Sequence, residues 1–142
     1  MKKNLLILLG IFLIIVAVIS YIYYNYAKTV RIANQINLEY EEYTQQEILG
    51  SALMTVINKA TDQNEKNDIE KDKNKRYIEN EENSIKIEIK FKESDKIYAM
   101  EAISELGYES FVKNYSNMSF ICTKKEYHNK TNQIKYLLFE QI

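Results

Sequence analysis

The chain has no proline and no tryptophan, a single cysteine (Cys122), a single histidine (His128) and three glycines. One cysteine excludes an intramolecular disulfide and a multi-cysteine zinc site. A formal net charge of -1 leaves no basic excess of the kind that binds nucleic acid. There is no acidic tail either. A length of 142 residues allows one domain of ordinary size. Setting aside the apolar N-terminus and the helix after it leaves roughly 90 residues, and a domain that small buries only about 60–65% of its unfolded surface. Asn, Lys, Ile and Tyr are abundant, as the codons of an AT-rich genome would give, which points to a low-GC bacterium as the source.

What is present begins at the N-terminus. Leu5 to Tyr24 is an uncharged run of 20 residues. As a helix it is about 30 Å long, the thickness of a bilayer's hydrocarbon core. Export-signal cores are shorter, about 7–15 residues, and end at a small-x-small cleavage site. Here the run passes instead into Tyr21, Tyr23, Tyr24 and Tyr26, the residue type that collects at membrane interfaces. The best cleavage position follows Ala27, with Asn25 as a poor residue two places before it. No cysteine stands directly after the run, which excludes a lipoprotein signal. The expectation is an uncleaved anchor that contacts the lipid bilayer through Leu5 to Tyr24. Lys2 and Lys3 before the span and Lys28 and Arg31 after it nearly balance the positive-inside rule. The four-residue N-terminal tail favours a cytoplasmic N-terminus and an exported C-terminal domain.

From Lys28 to Glu47 there is neither glycine nor proline, and good helix formers dominate. The helix is expected to continue out of the membrane as a stalk. Tyr26, Thr29, Ala33, Ile36, Tyr40, Tyr43 and Glu47 recur at 3-4 spacing. This stripe rests on the protein's own domain or on the helix of a partner subunit. Gly50 interrupts the pattern and Ser51 is placed to cap a restart. Leu53, Val56, Ile57 and Ala60 then form one apolar face suited to lying on a sheet. Thr61 to Asn83 reads as a solvated loop with a short strand around Arg76–Glu79. In SIKIEIKF, Ile85, Ile87, Ile89 and Phe91 alternate with Lys86, Glu88 and Lys90, the pattern of a strand with one face on a core. Ser94 or Asp95 is placed to cap a short helix whose buried side is Ala99, Ala102, Ile103 and Leu106, with Gly107 at its C-terminal end. The stretch 108–115 adds another turn or two. MSFICTKKEYH and QIKYLLFEQ flank the polar NKTN, which predicts a C-terminal β-hairpin.

Few residues offer chemistry. Cys122 and His128 on one strand stand about 20 Å apart at about 3.3 Å per residue, beyond the reach a nucleophile–base pair needs. Cys122 is expected in the core and His128 exposed or capping beside the turn. Met100 and Glu101 have nothing convergent around them in sequence. Asp62 and Asn64 begin like a calcium loop, but Lys66, Asn67 and Lys73 fill three positions that such a loop requires otherwise. Asn114, Asn117 and Asn129 match the N-glycosylation pattern at the frequency expected of so Asn-rich a chain. No catalytic residue, cofactor, metal or small-molecule substrate is expected.

The order of an apolar N-terminal helix, an amphipathic continuation and a small sheet resembles the type IV pilin and pseudopilin architecture. The resemblance spans most of the chain and is one of layout. Ile11 follows Gly10 where that family carries Phe or Met, and Ile15 stands five residues beyond Gly10 where that family carries Glu. The resemblance implies a structural role, with the helix supplying subunit contacts, and those two departures suit an intact anchor. The expected class is α+β: a transmembrane-plus-stalk helix, then a small antiparallel sheet with a short helix and the C-terminal hairpin. The expected parts are an anchor at 1–26, a stalk at 27–49 and an extracytoplasmic domain at 50–142. The expected function is that of a membrane-anchored structural or accessory subunit; the alternative is a membrane-tethered binding or sensing module.

Overall fold

The computed structural model describes residues 2–94 and 96–142. The chain divides into two compact units, Met1–Ile32 and Ala33–Ile142. The first unit holds the N-terminal part of α1 (Lys2–Thr44). Its apolar stretch is long and hydrophobic enough to cross a membrane, and none of that stretch is buried. A core helix of a soluble domain buries its apolar side chains. Leu5, Leu6, Phe12, Ile14 and Ile22 instead stand more than half exposed, which is compatible with a single-pass anchor. Asn25 and Thr29 turn their polar atoms onto the helix backbone: the Asn25 amide donates to the Tyr21 carbonyl and the Thr29 hydroxyl to the Asn25 carbonyl. Such back-bonding satisfies a polar side chain without water.

The second unit is α+β. It takes in residues 33–44 of α1, followed by β1 (Ile48–Leu49), α2 (Gly50–Lys66), β2 (Lys86–Lys90), β3 (Ile97–Ala99), α3 (Met100–Leu106), α4 (Tyr108–Tyr115), β4 (Ser119–Tyr127) and β5 (Ile134–Gln141). The sheet order is β1-β4-β5-β2-β3. Three pairings are antiparallel, but β2 and β5 run parallel, with Ile87 opposite Leu137 and Ile89 opposite Phe139. The sheet is therefore mixed where an antiparallel one was expected. A parallel neighbour needs a crossover, and the segment from β3 through β4 supplies it.

The periodic elements fall where their patterns put them. Leu53, Val56, Ile57 and Ala60 of α2 are completely buried, as are Ile87 and Ile89 of β2. They join Phe120, Leu137 and Phe139 from the sheet and Met100, Ile103 and Phe111 from α3 and α4 in one cluster. Within residues 33–44 the buried side chains are Ala33, Ile36 and Tyr40. These are the middle of the 3-4 stripe, while Tyr26 is exposed.

Several local expectations fail. Helix α2 runs to Lys66, six residues into the expected loop, because Asn64 faces the core there and is fully buried. Neither Ser51 nor Ser94 caps a helix. Leu49 precedes α2 and Ala99 precedes α3, both without a side-chain cap, and Asp95 lies outside the described residues. Ala99 is the last residue of the unexpected edge strand β3, which pairs along β2 from Lys90 to Glu88. Leu106 is 65% exposed rather than buried. Gly107 ends α3 at φ +86° and also opens α4, a backbone conformation that costs glycine least.

Candidate functional site

Two polar features stand out in the second unit. The first is a knot at the end of the sheet where β2 and β5 begin. The Asn64 amide donates to the Ile85 carbonyl at 2.8 Å and accepts from the Ile85 N–H at 2.8 Å. A helical side chain thus does for Ile85 what a neighbouring strand would do. Asn37 of α1 makes a similar pair of bonds at the start of β5, donating to the Asn132 carbonyl and accepting from the Ile134 N–H, each at 2.8 Å. The hairpin turn is tied to residues 82–84 as well. Thr131 Oγ1 donates to the Glu82 carbonyl, Gln133 Nε2 to the Asn83 carbonyl, and His128 Nε2 lies 2.7 Å from the Ser84 carbonyl. A carbonyl only accepts, so Nε2 carries the proton in this contact. Asn80 Oδ1 takes the N–H groups of Glu82, Asn83 and Ser84. His128 is 3% exposed, which corrects the expectation of an exposed or capping residue. A lone polar residue beside a turn looks solvated in sequence, and only the arrival of residues 82–84 across the hairpin covers it.

The second feature is a cleft of about 190 Å³ lined by Asp72, Arg76, Tyr77, Glu79, Lys86, Glu88 and Glu101, among others. Strand β2 supplies Lys86 and Glu88 on the face turned away from the core. The loop after α2 supplies Asp72 to Glu79, and α3 supplies Glu101. The Lys86 ammonium lies 3.0 Å from Glu88 and 3.7 Å from Glu79, and Glu79 also meets Lys135 at 3.1 Å. The Tyr136 hydroxyl donates to Glu88 at 2.7 Å. Glu101 accepts the Tyr77 N–H at 3.1 Å, so the loop is pinned to α3.

The electrostatics fix the protonation states. For Lys86, partial burial works against the charge. The Glu88 hydrogen bond and the charges of Glu88, Glu79 and Glu101 outweigh it and raise the pKa above the ordinary lysine value. For Glu88, burial pushes the pKa up, but Tyr136 and Lys86 prevail and lower it. Burial first, and then Glu88, push the Tyr136 hydroxyl well above the usual tyrosine range. Lys86 is thus held as a cation, Glu88 as an anion and Tyr136 as a phenol. A lysine nucleophile or a carboxyl acid needs the opposite shifts. The three groups thus hold one another as a fixed set, joined by the Lys86–Glu88 ion pair and the Tyr136–Glu88 hydrogen bond.

No family model, curated protein or solved structure matches this chain.

The residues singled out in sequence are mostly dispersed. Cys122 lies opposite Phe139 in the β4–β5 pair, half-buried, with Sγ 3.4 Å from the Lys124 carbonyl. Burial raises its thiol pKa. It makes no contact with His128. Met100 is a buried core residue, and Asp62 is an α2 residue. Among the described residues no group of three or more His, Cys, Asp or Glu is placed to hold a metal ion. Glu101 is the one singled-out residue that reaches the cleft. The roles of Asn37, Asn64 and Tyr136 were not legible in the sequence because their partners lie 21 to 97 residues away. The only local signal was two asparagines on otherwise apolar or helix-forming stretches.

Proposed function

We propose that this chain is a single-pass membrane-anchored structural or accessory subunit, pilin-like in layout, of a bacterial surface-pilus or secretion apparatus. Its N-terminus is cytoplasmic and its domain is exported. The observation that carries the reading is the division of labour within α1. Its stretch from Leu5 to Tyr24 is apolar, uncharged and unburied, while residues 33–44 bury Ala33, Ile36 and Tyr40 in the domain core. One helix thereby belongs both to the anchor and to the folded domain, which suits a subunit that passes a membrane and presents a small α+β body.

N-terminal sequencing of the protein isolated from membranes, together with cross-linking in intact membranes, tests the reading. An N-terminus at Met1 or Lys2 and cross-linked partners of an envelope assembly are expected. An N-terminus at Lys28 establishes a secreted protein, and one at Ile11 a processed pilin. Absence of both subunit contacts and a deletion phenotype in any surface structure sinks the structural role.

The cleft around Lys86 favours a second reading, a membrane-tethered module that binds a small polar ligand. Glu88→Gln then weakens ligand binding without altering assembly, whereas the structural reading leaves the cleft without a ligand.

A further inference from the structure

The charges are divided sharply between the two units. All 20 acidic residues lie from Glu39 onward, while Lys2, Lys3, Lys28 and Arg31 are the charged side chains of Met1–Ile32. Among the described residues the ion pairs run from Glu39–Lys59 onward along the chain. Lys28 and Arg31 are exposed and have no carboxylate within seven residues of Arg31 in sequence to neutralise them. They also share a stripe. Positions 21, 24, 28 and 31 follow i, i+3, i+7, i+10, so at about 100° per residue they fall within a sector of about 80°. Tyr21 and Tyr24 on that stripe are 69% and 66% exposed. Two amphipathic phenols followed by two unpaired cations meet a membrane from its acyl boundary outward. That order suits rings at headgroup level and cations at the phosphates.

We infer that Tyr21, Tyr24, Lys28 and Arg31 form a binding stripe for the headgroup of an anionic phospholipid. The inference rests on the membrane-anchor reading above and adds a lipid class and the residues that select it. Charge complementarity decides the occupant. A zwitterionic headgroup offers the cations no net attraction, whereas each Lys or Arg near an anionic surface gains about fivefold in association. Arg31 can also hold a phosphate by two parallel hydrogen bonds, as a guanidinium fork does. Lys2 and Lys3 lie before the span without an aromatic neighbour, so they contribute charge without the paired tyrosine platform.

The test uses the full-length protein in phosphatidylcholine bilayers containing trace spin-labelled phosphatidylglycerol or spin-labelled phosphatidylcholine. Electron spin resonance reads the fraction of each label immobilised by the protein. Preference for phosphatidylglycerol is expected, reduced in 0.5 M salt as exposed charges are screened. The Lys28→Gln/Arg31→Gln variant is expected to lose about fivefold or more of that preference. Lys2→Gln/Lys3→Gln is expected to retain most of it, and Tyr21→Leu/Tyr24→Leu to weaken it with the charges intact. An unchanged preference in Lys28→Gln/Arg31→Gln overturns the inference. An equal loss in the Lys2→Gln/Lys3→Gln variant also overturns it, because charge alone would then be responsible. Extraction of the wild-type chain by alkaline carbonate, with no immobilised lipid of either kind, removes the anchor reading itself and is distinct from both.

Discussion

Gly50→Ala separates backbone propensity from packing, because the two predict opposite signs. Gly50 is the first residue of α2, and in a helix alanine is favoured over glycine by up to about 1 kcal/mol. A methyl group here, however, would lie 2.0 Å from the carbonyl oxygen of Tyr115 and 2.8 Å from its carbon. Ordinary contact is well beyond 3 Å, so one backbone must move by more than 1 Å. Neither is free to do so. The Gly50 N–H donates to the Met118 carbonyl at 2.8 Å and the Ser51 N–H to the Ser116 carbonyl at 3.2 Å. Two residues earlier, Ile48 pairs with Phe120 in the sheet. Overpacking against fixed backbone costs about 1–3 kcal/mol. For a domain of this size that lowers the melting midpoint by about 5–15 °C. The assay is thermal unfolding of the full-length protein in detergent, followed through the near-ultraviolet signal of its tyrosines. A Gly50→Ala midpoint at or above that of the wild type would refute the reasoning, since it would mean that helix propensity, and not the approach of α4, governs this position.

Other substitutions test the buried polar groups and the charged face. Asn64→Ala leaves the N–H and carbonyl of Ile85 unpaired inside the core, so a loss of about 2–4 kcal/mol is expected in urea unfolding, whereas the half-exposed Asn67→Ala costs under about 1 kcal/mol. Tyr40 is 1% exposed and its hydroxyl has no hydrogen-bond partner among the described residues, so Tyr40→Phe is expected to raise the urea midpoint by an amount worth about 1 kcal/mol or more; a lower midpoint would reveal a bond to that hydroxyl. Glu88 has a lowered pKa in the folded state, so its contribution is present above the unfolded carboxyl value of about 4.3 and is lost as pH falls through the lower folded value. Glu88→Gln is therefore expected to flatten the acid limb of the melting-temperature profile below about pH 4.5, and an unchanged limb would contradict the assignment. Lys86 has the opposite sign: its contribution is complete below the unfolded lysine value of about 10.4 and is lost as pH rises through the higher folded value.

The sequence by itself determined what depends on period and composition. The uncharged run from Leu5 to Tyr24 specified a helix long enough to cross a bilayer, because length and the absence of charge are sufficient for that. The apolar face of α2, the alternation of Ile85, Ile87 and Ile89, and the polar NKTN turn specified their elements, because each repeats a geometric period along the chain. Only the tertiary structure decided the rest. The parallel seating of β2 on β5 and the two-residue β1 arise from pairing with distant strands, and the three-residue β3 is too short to show a period. His128 is buried because residues 82–84 reach it, and Asn37 and Asn64 close strand ends because two helices place them there. Gly50, which in sequence only interrupts a helical pattern, is required because the Tyr115 carbonyl comes within reach. Except for β3, which turns back on β2 within about ten residues, the deciding partner is tens of residues away, and a chain read one neighbourhood at a time carries no record of it.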